Sequence, residues 1–265
     1  MKTTMAYPYR GKIVYTDCDE DGVIDVVDES SSLRSLQFGS QAKQSTMFLR
    51  SPASLALAYT QCLMTSLLFN PDPKQVLVLG LGGGSVPKFI LDIFPACHVD
   101  VVEKRAKIVE VARRYFAVPD EVRLNIIVSD GLGFLLSQHA DDLYDLIVVD
   151  LHESHRMAPV VLKSDFFPAC HACLEENGML AINLWYGNDE QAEREVRSRL
   201  ESIYPERVLY LPVAGKRNCI ALAFDANFSD SRETLERRAR HLRDKTGVAF
   251  PDLLLELYRH NPTCF

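Results

Sequence analysis

From Val76 onward the chain alternates short apolar runs with amphipathic stretches of helical length. Residues 76–79, 99–102, 124–128, 144–149 and 178–184 are rich in Val, Ile and Leu, the pattern of strands buried on both faces of a sheet. Between them the spacing predicts helices over 86–94, 105–116, 131–138, 164–176 and 189–203, and two late strands follow near 207–211 and 218–224. Strands alternating with helices give an α/β, doubly wound, mostly parallel sheet with an antiparallel strand at its end. Ahead of this, Lys12–Tyr15 and Val23–Asp28 predict a hairpin around Asp17-Cys-Asp-Glu-Asp-Gly22, and Leu33–Phe38 adds a third strand. Gln41–Arg50 is polar and predicted irregular, whereas Pro52–Phe69 carries Leu55, Leu57, Ala58, Leu63, Met64, Leu67 and Leu68 at helical spacing. Two C-terminal helices are predicted over Asp230–Thr246 and Pro251–His260. The expected organisation is a small N-terminal β-element over residues 1–50, a nucleoside-binding domain over 51–225 and a helical extension over 226–265.

The segment 74–103 carries the clearest chemistry. Gly80, Gly82, Gly83 and Gly84 follow directly on the strand at 76–79. Bare backbone at a strand's carboxyl end admits a ligand, and the helix beginning near Ser85 or Pro87 turns its free N–H groups toward it. The next strand ends on Glu103, placed to accept hydrogen bonds from two ribose hydroxyls. Strand, glycine loop, helix, strand and terminal acid together predict a nucleoside site. The spacing of Gly80, Gly82 and Gly84 lacks the third glycine of the dinucleotide pattern and fits an S-adenosylmethionine type of fold.

Ligands of such sheets lie beyond the carboxyl ends of the strands. Two more acids fall there. Asp130, followed by Gly131, is placed to accept from an adenine amino group, and Asp150 to stand at the edge of the reacting centre. Either aspartate alone is equally well a loop cap. The loop after Asp150 holds His152, Glu153, His155 and Arg156, too few ligands at the wrong spacing for zinc, so no metal is expected. A bound sulfonium needs neither nucleophilic residue nor metal. An amine acceptor, with a pKa near lysine's ~10.4, arrives charged, and Asp150 or Glu153 is suited to bind it and take its proton.

Composition narrows the partners. A net charge of -7 speaks against a nucleic-acid backbone and suits a small cationic substrate. No apolar run is long enough for a membrane span, and the first residues lack a signal-peptide core, so a cytoplasmic protein is expected. Seven scattered cysteines fit free thiols in a reducing compartment, and Cys170 with Cys173 reads as a core pair within a helix.

Gln44-Ser45, Tyr59-Thr-Gln-Cys62, Val76-Leu-Val-Leu-Gly-Leu-Gly-Gly-Gly-Ser85, Val101-Val-Glu103, Arg113-Arg-Tyr-Phe116, Asp130-Gly131, Tyr144-Asp-Leu-Ile-Val-Val-Asp150 and Asn183-Leu-Trp185 resemble the spermidine synthase (polyamine aminopropyltransferase) family, especially its shorter bacterial relatives. The resemblance covers about Gln41 to Phe224. It implies a class I methyltransferase-like Rossmann fold behind N-terminal hairpins, decarboxylated S-adenosylmethionine as co-substrate, a small-molecule amine acceptor and a homo-oligomer such as a dimer. Gln44, Glu103, Asp130 and Gly131 would contact the adenosyl ligand, and Asp150 would accept the proton or anchor the amine. Three departures stand out. The acid that family members carry within the glycine loop is Gly83 here, their Tyr-His-Glu is Tyr59-Thr60-Gln61, and their Asp-x-x-Asp-Pro is Asp150-Leu-His-Glu153-Ser. Three readings follow: aminopropyl transfer to an amine; methyl transfer from intact S-adenosylmethionine, whose carboxylate a bare Gly83 would tolerate; and a non-catalytic nucleoside-binding homologue. Trp185 and Tyr186 are candidates for the acceptor pocket or for core aromatics.

Overall fold

A computed structural model describes residues 9–139, 143–151, 158–185, 190–226 and 230–265. Its first unit is an antiparallel five-stranded sheet in sequence order: β1 (Lys12–Asp19), β2 (Gly22–Asp28), β3 (Leu33–Gln37), β4 (Lys43–Phe48) and β5 (Ser51–Leu55). The stretch read as irregular is therefore strand β4, and the first part of the expected helix at 52–69 is strand β5. Pairing with β3 satisfies the backbone of Lys43–Phe48 despite its polar composition, and Ser45 and Thr46, on opposite faces, are both buried. What remains of the helix is α1 (Ala58–Leu63), which runs into a 3-10 turn over Met64–Leu68. The predicted apolar spacing is kept: Leu63, Met64, Leu67 and Leu68 are all fully buried.

The second sheet begins with β6 (Gln75–Leu79), α2 (Ser85–Ile93), β7 (His98–Glu103), α3 (Ala106–Tyr115), β8 (Leu124–Val128), α4 (Gly131–Ser137) and β9 (Tyr144–Val149). It continues through α5 (Phe166–Ala172), β10 (Leu174–Trp185), α6 (Glu190–Ile203), β11 (Val208–Pro212) and β12 (Asn218–Phe224). The seven strands run in the order β11-β12-β10-β9-β6-β7-β8. Strands β10, β9, β6, β7 and β8 are parallel, and β12 is antiparallel to β10. The doubly wound sheet read from the sequence is thus present, closed on one side by an antiparallel pair. The helix expected over 164–176 stops early, because β10 begins at Leu174 and pairs with Tyr144 of β9. Cys170 lies on α5 and Cys173 at its end; both are free and buried in the apolar layer under the sheet, where burial pushes their thiols above the usual range.

Two helices, α7 (Arg232–Thr246) and α8 (Phe250–His260), complete the chain. Gly247 ends α7 in the left-handed conformation expected of a glycine stop, φ 74°. Leu235, Ala239, Leu242, Leu254 and Leu257 join these helices to the core that underlies β6 and the N-terminal sheet. No helix among the described residues is long and apolar enough to cross a membrane.

The N-terminal sheet is tied to the second one by charge as well as by packing. Arg105, buried at the head of α3, grips Asp19 with two nitrogens at 2.7 and 2.9 Å, donates to the carbonyl of Gly22 and stacks on Phe38. On either side Lys104 meets Asp21 at 2.9 Å and Lys107 meets Asp17 at 3.2 Å. The tip of the β1–β2 hairpin therefore rests beside the end of β7, where Glu103 stands.

Candidate active site

Leu79, at the end of β6, hands the chain to the glycine loop. Gly80 takes φ 98°, and a side chain there would meet the Asp150 carbonyl at 2.5 Å. Gly84 takes φ 67° and caps α2; a Cβ on it would stand 2.4 Å from Val118. Both positions demand glycine, the first for close backbone approach between two strand ends. Gly82, at φ 51°, faces Ser45 and the carbonyl of Gln44 with more room.

Gly83 differs. Its φ is ordinary, yet a Cβ would lie 2.7 Å from Ser45 Oγ and 3.0 Å from both Ser45 Cβ and the Phe116 ring. Ser45 and Ser85 share a hydrogen bond of 3.1 Å, which holds β4 against the loop. Beneath it the buried Lys88 of α2 donates to the carbonyl of Phe116 at 2.6 Å, and burial lowers its pKa to about 8. The direction a side chain at residue 83 would take is thus filled. Gly83→Asp, which would restore the acid that the resembled family carries in this loop, is expected to destabilise the fold by about 1–3 kcal/mol. Denaturant unfolding measures this loss, and adding Ser45→Gly should recover part of it.

Glu103, at the end of β7, is buried and faces the loop. Its Oε2 accepts from the N–H of Leu81 at 3.1 Å and its Oε1 from the N–H of Arg105 at 2.9 Å. Burial raises its pKa, with those two hydrogen bonds and the Arg105 charge opposing the rise. Asp130 is exposed and caps α4, its Oδ1 accepting from Gly133 N–H at 2.9 Å. The cap reading of this residue is present, then, and uses one oxygen. Gly131, buried, opens the helix beside Leu79 and Leu151.

Asp150 follows β9, its N–H bonded to the carbonyl of Leu79 at 2.9 Å. Its Oδ2 accepts from the Tyr59 hydroxyl at 3.1 Å and its Oδ1 from Asn183 Nδ2 at 2.9 Å. The same Tyr59 hydroxyl lies 3.4 Å from the Gln44 carbonyl. Burial, followed by the Asp150 charge, pushes Tyr59 well above its ordinary pKa and keeps it a protonated donor. Thr60 and Gln61, which stand where family members carry His and Glu, turn to the backbone: Thr60 Oγ1 donates to Leu57 at 2.7 Å and Gln61 Nε2 to Leu55 at 2.9 Å.

The structure thus gathers Gln44, Gly80, Gly82, Gly83, Gly84, Glu103, Gly131 and Asp150 around one loop, with Asp130 on the adjoining rim. Glu153, His152, His155 and Tyr186 lie outside the described residues, as does the side chain of Trp185. Among the described residues no three His, Cys, Asp or Glu side chains converge as a metal-binding group. Sequence reading gave no role to the partners of Asp150. Asn183 had a visible signal, a single amide in the apolar run Met179–Leu184, whereas Tyr59, 91 residues from Asp150, was marked only by the motif it shares with the resembled family.

A family model described as the spermine/spermidine synthase domain matches residues 56–199, and the polyamine aminopropyltransferase of Chromobacterium violaceum is 31% identical over 237 residues, 89% of each chain. The chain belongs to the spermine/spermidine synthase family. Solved structures agree on the fold of this spermidine synthase relative. A probable spermidine synthase from Corynebacterium glutamicum superposes with a TM-score of 0.74 at 20% identity, covering 90% of this chain and 95% of that one. A spermidine synthase solved with the transition-state analogue AdoDATO gives 0.69 at 17% identity, covering 93% and 84%.

Proposed function

We propose that this chain is a polyamine aminopropyltransferase, taking decarboxylated S-adenosylmethionine as donor and a small amine as acceptor. The observation that carries the reading is the Asp150 carboxylate. It is held by Tyr59 and Asn183 at the end of β9, within backbone contact of the glycine loop. Such a carboxylate, fixed by two donors, receives a cation or a proton at a defined place.

The bound sulfonium supplies a neutral thioether leaving group, so attack by the amine nitrogen forms a C–N bond as the C–S bond breaks, releasing methylthioadenosine. The protein's part is to bind, align and take one proton. Each oxygen of Glu103 keeps a free lone pair beside its backbone donor, and both are suited to the ribose hydroxyls. Asp130 keeps one oxygen free of its cap for the adenine amino group, with Gly131 leaving room for the ring. Gln44 borders the loop from the β4 side. The acceptor loses its proton to Asp150, and Glu153 is assigned the second ammonium of the amine. Gly83 lends no weight to the methyl-transfer reading, since its lack of a side chain follows from packing against Ser45 and Phe116.

The test is to incubate purified protein with decarboxylated S-adenosylmethionine and a panel of di- and triamines, with intact S-adenosylmethionine in parallel. Methylthioadenosine and an aminopropylated amine should appear in equal amounts. A methylated amine from the intact donor, with nothing from the decarboxylated one, would overturn the reading.

A further inference from the structure

Asp150 is joined to a chain of amides that crosses three strands. Asn183 Nδ2 donates to Asp150 Oδ1 at 2.9 Å, and Asn218 Nδ2 donates to Asn183 Oδ1 at 3.0 Å. The register explains the reach. In the parallel pair β9–β10, Ile182 lies opposite Val149, so Asn183 comes level with Asp150. In the antiparallel pair β10–β12, Asn183 lies opposite Ile220, and Asn218 is its diagonal neighbour two residues along the same face.

Asn183 is 2% exposed, and both ends of its amide are spoken for. A carboxylate only accepts, so Asn183 must turn its NH2 toward Asp150, which leaves its carbonyl oxygen to accept from Asn218. Without a donor at the far end the carbonyl oxygen of this buried amide is left unsatisfied, which loosens the hold of its NH2 on the acid. A flipped Asn183 would set an oxygen against Asp150.

We propose that Asn218 is a positioning residue for Asp150: it fixes the orientation of the Asn183 amide and so keeps the proton-accepting carboxylate supplied with a donor. The proposal rests on the aminopropyl-transfer reading for its effect on rate, but not for its geometry. Asn218→Asp is the discriminating change, because it preserves shape and removes the donor.

Two readouts separate the outcomes. The side-chain NH2 of Asn183, assigned in an NMR spectrum by its loss in Asn183→Leu, should show one proton shifted downfield by the carboxylate and slow to exchange. In Asn218→Asp that shift should collapse. In the assay above, kcat should fall about five- to tenfold while KM for the adenosyl donor stays put. The same change placed on Asn183→Ala should add no further loss, since the relay is already cut. An unaltered Asn183 signal in Asn218→Asp overturns the proposal whether or not the protein turns over. So does an equal loss of kcat with and without Asn183. A parent protein that binds but never releases methylthioadenosine overturns the functional reading alone and leaves the NMR result to decide this one.

Discussion

Asp150→Asn is expected to lower kcat by about 10²- to 10⁴-fold while leaving the affinity for the adenosyl donor nearly unchanged. An amine acceptor is protonated at neutral pH and becomes a nucleophile only after losing that proton, so removing a positioned base carries the penalty typical of general base catalysis. The substitution also leaves one acceptor oxygen for the two donors Asn183 and Tyr59, loosening the place of residue 150 even as shape is kept. The donor's adenosyl half is assigned to Glu103, Asp130 and the loop, none of which the change touches. Steady-state rates with calorimetric binding of methylthioadenosine measure both parts. A parallel fall in binding would show that Asp150 shapes the pocket and does not act as base.

Glu103→Ala should produce the second largest effect, here on binding. The buried carboxylate serves two masters, holding the backbone N–H of Leu81 in the loop and of Arg105 at the head of α3. Its removal orphans both donors at about 1–3 kcal/mol each and takes away the acceptor proposed for the ribose. The dissociation constant of methylthioadenosine should rise by at least about 100-fold. Glu103→Gln tests the burial of the charge through the pH dependence of stability. Burial raises the carboxyl's pKa in the fold above its unfolded value of about 4.3. A raised value means the folded state holds its proton longer, so stability is greatest below the unfolded value and declines as pH climbs through the folded one. That decline should flatten in Glu103→Gln, as read from denaturant midpoints across pH 4 to 7. An unchanged slope would mean the strain of burial is fully offset by the two N–H groups.

The βαβ unit from β6 to β7 could be read directly because its strands are buried on both faces, which leaves unbroken runs of Val and Leu. The same logic failed for β4. Its sequence Lys-Gln-Ser-Thr-Met-Phe is strand only because β3 pairs with it and the glycine loop packs on Ser45, a contact between residues about forty apart. Pro52–Leu55 looked helical through its leucine and alanine spacing, but pairing with β4 outweighed that weak propensity. In the site, the acids could be placed because this sheet topology puts ligands at strand ends. What they bond to could not. Tyr59 and Asn183 reach Asp150, and Asn218 reaches Asn183, through register and packing, which no local pattern encodes, and the filled space beside Gly83 depends on Ser45 and Phe116 from two other elements.

The row of acids on the β1–β2 tip has a bearing on how the molecule opens. Asp19 answers a buried guanidinium, whereas Asp17 and Asp21 meet lysines that remain in water. Salt would screen the outer two pairs and leave the inner one. Lifting the tip alone would strand Arg105 without its counter-charge in a place from which water is largely excluded. The hairpin therefore has no cheap way to fray by itself. It is expected to leave together with the first turn of α3, whose Arg105 N–H also holds Glu103. If Glu103 holds the ribose as proposed, an adenosyl ligand should slow amide exchange in the β1–β2 hairpin.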